Sequence, residues 1–238
     1  MSSLEMTLYL IPTPLGKHKQ NTVLPESVLE QIRHLDLFFV ENIHTARSFL
    51  QWVGGSVPDY QVTVLPLTSK TPPEVLHEYI RMIRPDRPAG LLSEAGCPGV
   101  ADPGANLVAF AHRFKVRVVP LVGPSSILLA LMASGLNGQQ FSFLGYLPRE
   151  APERLKAIRQ LSNQATQTGQ TLICMEAPQR NQVLAQELIA QLDPNLQLCL
   201  ASEITLEGEW IQTSTVSEWR KRTLPDLSKK PMLFLIGR

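Results

Sequence analysis

The chain is short of several things, and each shortage narrows its chemistry. Its three cysteines (Cys97, Cys174, Cys199) stand far apart. Without paired spacing they make neither a zinc site nor a disulfide framework, and a reducing cytoplasm is the expected compartment. The five histidines (His18, His34, His44, His77, His112) are scattered, with no H-E-x-x-H, so no metal is expected. No G-x-x-x-x-G-K-[ST] and no G-x-G-x-x-G occurs, which sets aside the usual triphosphate and dinucleotide loops. The longest strongly apolar run, Ile127 to Ala133, is too short to span a bilayer. Met1 to Glu5 carry neither the basic region nor the apolar core of a secretory leader, so neither membrane nor export is expected. Charge of one sign is also missing. The 22 Lys and Arg against 21 Asp and Glu leave a formal net charge of +1, without the basic coat of many nucleic-acid binders.

What is present is proline and glycine placed at the ends of apolar runs. Thr7 to Ile11 reads as a strand that runs into Pro12-Thr13-Pro14-Leu15-Gly16. Pro25 opens a helix with Val28, Leu29, Ile32 and Leu35 inward. Leu37 to Val40 is a strand, followed from near His44 by a helix that Gly54-Gly55 stops. Val62 to Leu67 is a strand, Pro72 opens a helix, and Ala89 to Leu92 is a strand entering Ser93-Glu94-Ala95-Gly96-Cys97-Pro98-Gly99-Val100-Ala101-Asp102-Pro103-Gly104. A helix to Phe114 and a strand from Val116 to Pro120 follow. Alternating strands and helices predict a mainly parallel sheet covered on both faces.

Ile127 to Ser134 is apolar all round, which predicts a helix buried between layers at a junction of two domains, 1–121 and 122–238. Beyond it Phe141 to Tyr146 reads as a strand, Pro152 to Leu161 as a polar surface helix, Thr171 to Met175 as a strand and Arg180 to Leu192 as a helix. Leu196 to Ala201, Gly208 to Thr213 and Met232 to Ile236 have a hairpin-like rhythm. The second half is therefore expected to hold a mixed sheet with helices, and the fold class is α/β in both halves.

Four strand-ending loops, Pro12 to Gly16, Ser93 to Gly104, Gly123 to Ser126 and Glu176-Ala177-Pro178, carry Pro, Gly or small hydroxyl residues. Such loops hold one shape and let backbone approach a ligand closely. In open α/β sheets this edge is where small molecules bind. Glu41, Glu94, Asp102, Glu176 and Glu203 stand near strand ends, as caps, as ion-pair partners, or as bases for a proton or a cationic ligand. Cys97 lacks a cationic partner in sequence, so a thiolate nucleophile is not expected. Ser125 is an N-cap or a ligand contact. Basic clusters occur at Lys17-His18-Lys19, Arg220-Lys221-Arg222 and Lys229-Lys230.

These segments, taken in order, resemble one family. Leu8-Tyr9-Leu10-Ile11-Pro12-Thr13-Pro14-Leu15-Gly16, Val40-Glu41-Asn42-Ile43-His44-Thr45 and Ser93 to Gly104 come first. PLVGPSSILLALMASGL from Pro120, FSFLGYLP from Phe141, Met175-Glu176-Ala177-Pro178-Gln179-Arg180 and Ser202-Glu203-Ile204-Thr205-Leu206-Glu207-Gly208-Glu209 follow. The pattern is similar to that of class III S-adenosylmethionine-dependent methyltransferases, the tetrapyrrole methylase superfamily, and within it to the small-subunit ribosomal RNA (cytidine-2′-O-)-methyltransferase branch. The resemblance implies two α/β domains with S-adenosylmethionine in a cleft between them, no metal, and a homodimer. It implies cofactor contacts at Pro12, Ala95, Gly96, Cys97, Val100, Ser125, Ser126, Glu176 and Ile204, and ribosomal RNA or the small subunit as partner. A ribose hydroxyl needs a base, for which Glu94 and Asp102 are the candidates. Lys17, Lys19, Glu41, Lys229 and Lys230 are the candidate substrate contacts. The chain departs from the branch at Asn42 (Asp there), Ile43 (Thr), Glu94 (Asp) and Cys97 (Thr), all toward the substrate side. Two other readings stand beside this one: methylation of a tetrapyrrole or other small molecule, and a cofactor-binding module without turnover.

Overall fold

A computed structural model of the chain describes residues 5–16, 23–55, 57–58 and 61–238. It divides after Ser125 into two compact units.

The first unit is built on five short strands: β1 (Thr7–Ile11), β2 (Leu37–Val40), β3 (Thr63–Pro66), β4 (Ala89–Leu92) and β5 (Arg117–Pro120). They lie in the order β3-β2-β4-β1-β5, every pair parallel. Side chains alternate between faces with a period of two. Leu37, Phe39, Ala89 and Leu91 therefore meet α3 (Pro73–Met82) and α4 (Ala105–Arg113) in one core. Phe38, Val40, Ile11 and Leu92 meet α1 (Glu26–Arg33) and α2 (Ile43–Val53) in the other. Two covered faces explain why these strands read as continuous apolar runs. The chain leaves β1 and β2 toward one face and β4 toward the other, which opens a crevice at the carboxyl edge between neighbouring strands.

The second unit holds α5 (Ser126–Ser134), β6 (Phe141–Tyr146), α6 (Ala151–Thr168), β7 (Thr171–Met175), α7 (Asn181–Gln191), β8 (Gln197–Ser202), β9 (Trp210–Thr215), α8 (Val216–Trp219) and β10 (Met232–Gly237). Its sheet runs β6-β7-β10-β8-β9, with β6 and β7 parallel and the other pairs antiparallel. The mixed second sheet and the parallel first sheet agree with the α/β expectation.

Two helices differ from the sequence reading. Helix α5 is not buried all round: Ala130, Leu131 and Ser134 are covered, but Leu128 is 51% and Met132 78% exposed. An apolar helix shows no preferred side, so composition alone could not tell which stripe the sheet would take. Helix α6 is neither short nor confined to the surface. It reaches Thr168 and buries Arg154, Ile158, Leu161, Ser162 and Ala165. Its buried polar residues are matched: Arg154 Nε and Nη2 donate to the two Glu187 carboxylate oxygens at 2.6 and 2.9 Å, and Ser162 Oγ accepts from the Asp193 backbone N–H at 2.9 Å.

Candidate functional site

At the carboxyl edge of the first sheet, three proline-bearing loops are tied together. Thr13 N–H donates to the Gly96 carbonyl at 2.9 Å, and Gly96 N–H returns to the Thr13 carbonyl at 3.0 Å. Thr13 Oγ1 reaches the Ser93 carbonyl at 3.3 Å, and Ser93 Oγ the Gly96 carbonyl at 3.3 Å. Cys97 Sγ lies 3.5 Å from the Pro124 carbonyl. Gly96 has φ +77°, a left-handed conformation that a side chain would strain. At Gly123 a Cβ would fall 2.2 Å from Pro12 Cγ, so the third loop approaches the first only because glycine is there. The site candidates Pro12, Ala95, Gly96, Cys97 and Val100 thus share one loop cluster, and Ser125 follows Pro124 directly.

Glu41, Glu94 and Asp102 form a carboxylate group beside these loops. Burial and then the nearby Glu41 charge push the Asp102 carboxyl up to about 6, with Glu94 adding and a Ser93 hydrogen bond opposing. Burial, followed by the Glu94 charge, raises Glu41 as well. Glu41 Oε2 is buried and makes no hydrogen bond among the described residues. Burial raises the Cys97 thiol too, which keeps it protonated and a poor nucleophile.

Helix α2 enters the same place. Asn42 caps it, its Oδ1 accepting from the N–H of His44 at 2.9 Å and of Thr45 at 3.4 Å. An amide serves this role as a carboxylate would, so the substitution at this position leaves the helix start intact. Thr45 Oγ1 lies 3.1 Å from the Asn42 carbonyl and 3.3 Å from Glu94 Oε1, linking the helix to the carboxylates. Between α2 and the loops lies a cavity of about 610 Å³ bordered by Thr13, Thr45, Phe49, Trp52, Ser93 and Glu94, within the usual size for one small ligand.

The second unit has its own polar edge, where β7 and β8 end and β10 begins. Glu176 is 5% exposed, and its Oε1 accepts from the Ala177 N–H at 2.7 Å and from the Arg180 guanidinium. Asn181 Nδ2 donates to the Lys230 carbonyl at 2.6 Å. Four atoms here, Arg180 Nε, Asn181 Oδ1, Ser202 Oγ and Thr205 Oγ1, are buried without a hydrogen bond among the described residues. Burial of that kind costs free energy unless a partner is supplied. Glu203 (φ +52°) and Thr205 (φ +69°) flank the buried Ile204 in strained left-handed backbone. Lys230 Nζ is ion-paired with Glu203 at 2.9 Å, while Lys229 is exposed. Ser126 begins α5 in this unit. Lys17 and Lys19 lie outside the described residues.

Sequence reasoning missed Thr13, Thr45, Trp52, Asn181 and Ser202. Thr13 could have been found, standing between two prolines after a strand. The others are ordinary residues of helices and a strand whose exposure or lack of a partner only the folded chain reveals. Among the described residues no helix is long and apolar enough to cross a membrane.

Residues 7–219 match the sequence profile of the Tetrapyrrole (Corrin/Porphyrin) Methylases. The chain is 28% identical over 217 residues to the ribosomal RNA small subunit methyltransferase I of Buchnera aphidicola (Acyrthosiphon pisum), covering 90% of this chain and 73% of that one. It is 29% identical over 225 residues to the protein of the same name from Hydrogenobaculum, covering 91% and 90%. Among solved structures, the methyltransferase CobJ superposes with a TM-score of 0.62 at 13% identity over 98% of this chain and 94% of that one. Thermus thermophilus uroporphyrin-III C-methyl transferase, complexed with S-adenosyl homocysteine, gives 0.56 at 17% over 98% and 97%. At these identities the structures establish the shared fold.

Proposed function

The chain belongs to the tetrapyrrole (corrin/porphyrin) methylase family, and on that footing we propose that it moves a methyl group from S-adenosylmethionine to a ribose 2′-hydroxyl of small-subunit ribosomal RNA. The observation that carries the reading is the loop-and-carboxylate cluster of the first unit, set in a chain whose curated relatives act on that RNA by name. The methyl-transfer class follows from the family; the RNA target rests on relatives at 28 to 29% identity.

The residues present fit the cofactor. Ser202 Oγ, Asn181 Oδ1, Thr205 Oγ1 and Arg180 Nε are buried polar atoms in need of partners, suited to a ligand rich in donors and acceptors. The proposed contacts are Pro12, Ala95, Gly96, Cys97, Val100 and Ser125 in the first unit and Ser126, Glu176 and Ile204 in the second. When bound, S-adenosylmethionine supplies a methyl group on a positively charged sulfur. The protein then has to fix the hydroxyl in line, keep water away, and take one proton. Asp102, with its carboxyl raised to about 6, is ionised at neutral pH yet basic enough to accept that proton from the 2′-oxygen. Glu94, tethered by Thr45, is the second carboxylate able to do so and raises Asp102 by its charge. Glu41, Lys229 and Lys230, with Lys17 and Lys19, are proposed to contact the RNA. The protein is proposed to work in the cytoplasm as a homodimer, which the exposed Leu128 and Met132 of α5 and the 60% exposed Tyr146 of β6 support as surfaces for a second copy.

A tritium-labelled cofactor assay tests the reading. Label is expected in RNA of small ribosomal subunits. Label in an added corrinoid or uroporphyrin, and none in RNA, would replace it with small-molecule methylation, which the largely apolar cavity favours as the second reading. Tight cofactor binding with no transfer to either would leave a binding module.

A further inference from the structure

We propose that the cavity beside the carboxylates receives one unstacked base of the RNA, held against Trp52 and Phe49 of α2; this rests on the RNA-methylation reading above. On α2, His44, Thr45, Ala46, Ser48, Phe49 and Trp52 all border the cavity. They fall at i, i+1, i+2, i+4, i+5 and i+8, an arc of roughly 200° at about 100° per residue. Ala46, at the edge of that arc, and Val53 are buried in the core, and Phe49 packs against it from the cavity side. Trp52 is not part of that core, and it is 37% exposed. Its ring and that of Phe49 stand 5.9 Å apart at 30° and form one apolar wall.

A ligand suited to this wall has a flat apolar face and a polar edge. A nucleobase pulled out of its stack has both, and aromatic walls take bases of any sequence by their faces. Polar atoms of Thr45 and Ser48 on the same helix, and of Glu94, border the cavity as well. Ser48 Oγ already donates to the His44 carbonyl at 3.0 Å and so offers acceptor lone pairs. The Asn42 cap fixes the helix end that carries the stripe. The cavity shares Ser93 and Glu94 with the proposed chemical site, so a base seated here keeps its own ribose beside the carboxylates. Exposed Arg47, next to His44 around the helix, has no ion-pair partner among the described residues and is placed to meet a phosphate.

The test compares the full-length protein with Trp52→Ala, Phe49→Ala and Trp52→Phe. KM for small-subunit RNA and kcat are measured, with the cofactor Kd by calorimetry. Trp52→Ala is expected to raise the RNA KM on the order of tenfold, as loss of one base–aromatic stack does elsewhere, with the cofactor Kd unchanged and Trp52→Phe restoring most of the loss. Phe49→Ala should act in the same direction. An unchanged RNA KM overturns the proposal while the methylation reading stands. So does a weaker cofactor Kd with RNA KM unaffected, which would place the cofactor's adenine on Trp52 instead.

A second measurement does not depend on turnover. The fluorescence of wild type minus that of Trp52→Phe isolates Trp52 from Trp210 and Trp219. Its quenching by a short single-stranded oligoribonucleotide is expected, and no change up to millimolar oligonucleotide overturns the proposal even if no RNA is ever methylated.

Discussion

A single carboxyl group sets the expected pH behaviour. Asp102 sits at about 6 in the folded chain against 3.8 ordinarily, so the folded state holds its proton more tightly than the unfolded state. Its contribution is most stabilising below about pH 4 and is lost as pH rises to about 6. Asp102→Asn has no proton to lose there. The thermal midpoint of Asp102→Asn relative to wild type should therefore climb between pH 4 and 6 and stay level above, as scanning calorimetry would show. A difference independent of pH contradicts the assignment. In catalysis the same group predicts that kcat/KM rises with pH through an apparent pKa near 6. Asp102→Asn should lower kcat by about 100-fold or more with the cofactor Kd unchanged. Glu94→Gln, which removes a neighbouring negative charge, should move the wild-type limb to lower pH. Full activity in Asp102→Asn with a large loss in Glu94→Gln would transfer the base role to Glu94.

Secondary elements show what could be read from the sequence and what could not. Most strands were legible because they are short apolar runs cut off by Pro, Gly or a carboxylate, and those same residues made the site loops visible. Strand β9 (Trp210–Thr215), a mostly polar WIQTST running into Val216, lies two residues later than the sequence pattern predicts. Helix α6 was underestimated because Arg154 and Ser162, which look like surface residues, are buried against partners in and after α7. No local pattern announces a partner so distant in the chain. The raised Asp102 was illegible for the same reason: its causes are burial and a charge at Glu41, on another strand's end. The pair between α6 and α7 gives a direct check. Arg154 and Glu187 side chains are 8% and 18% exposed, so Glu187→Ala strands a buried guanidinium and should cost ~3 kcal/mol in denaturant unfolding. Replacing both partners by Met and Leu should cost much less. Equal losses in the two variants would mean that packing, not charge, joins these helices.

For the whole molecule, the near-balanced charge bears on how RNA is held. With a formal charge of +1, few phosphates are neutralised, and the affinity for ribosomal RNA should fall with salt along a shallow line. A slope of log K against log salt of about −1.5 to −4.5 corresponds to about two to five phosphate contacts, within the supply of Lys17, Lys19, Arg47, Lys229 and Lys230. A much steeper slope would require a basic surface that the composition does not offer. The exposed apolar residues of α5 and β6 predict a dimer mass in light scattering. A monomer at micromolar concentration would leave that surface for another purpose.

Nucleoside mass spectrometry tests the central claim most directly. Small subunits lacking the modification, treated with the protein and a trideuteriomethyl cofactor, should yield one nucleoside whose added mass remains on the sugar after the base is cleaved away. A deuterated methyl found on a base, or no deuterated nucleoside at all, contradicts ribose 2′-O-methylation by this chain.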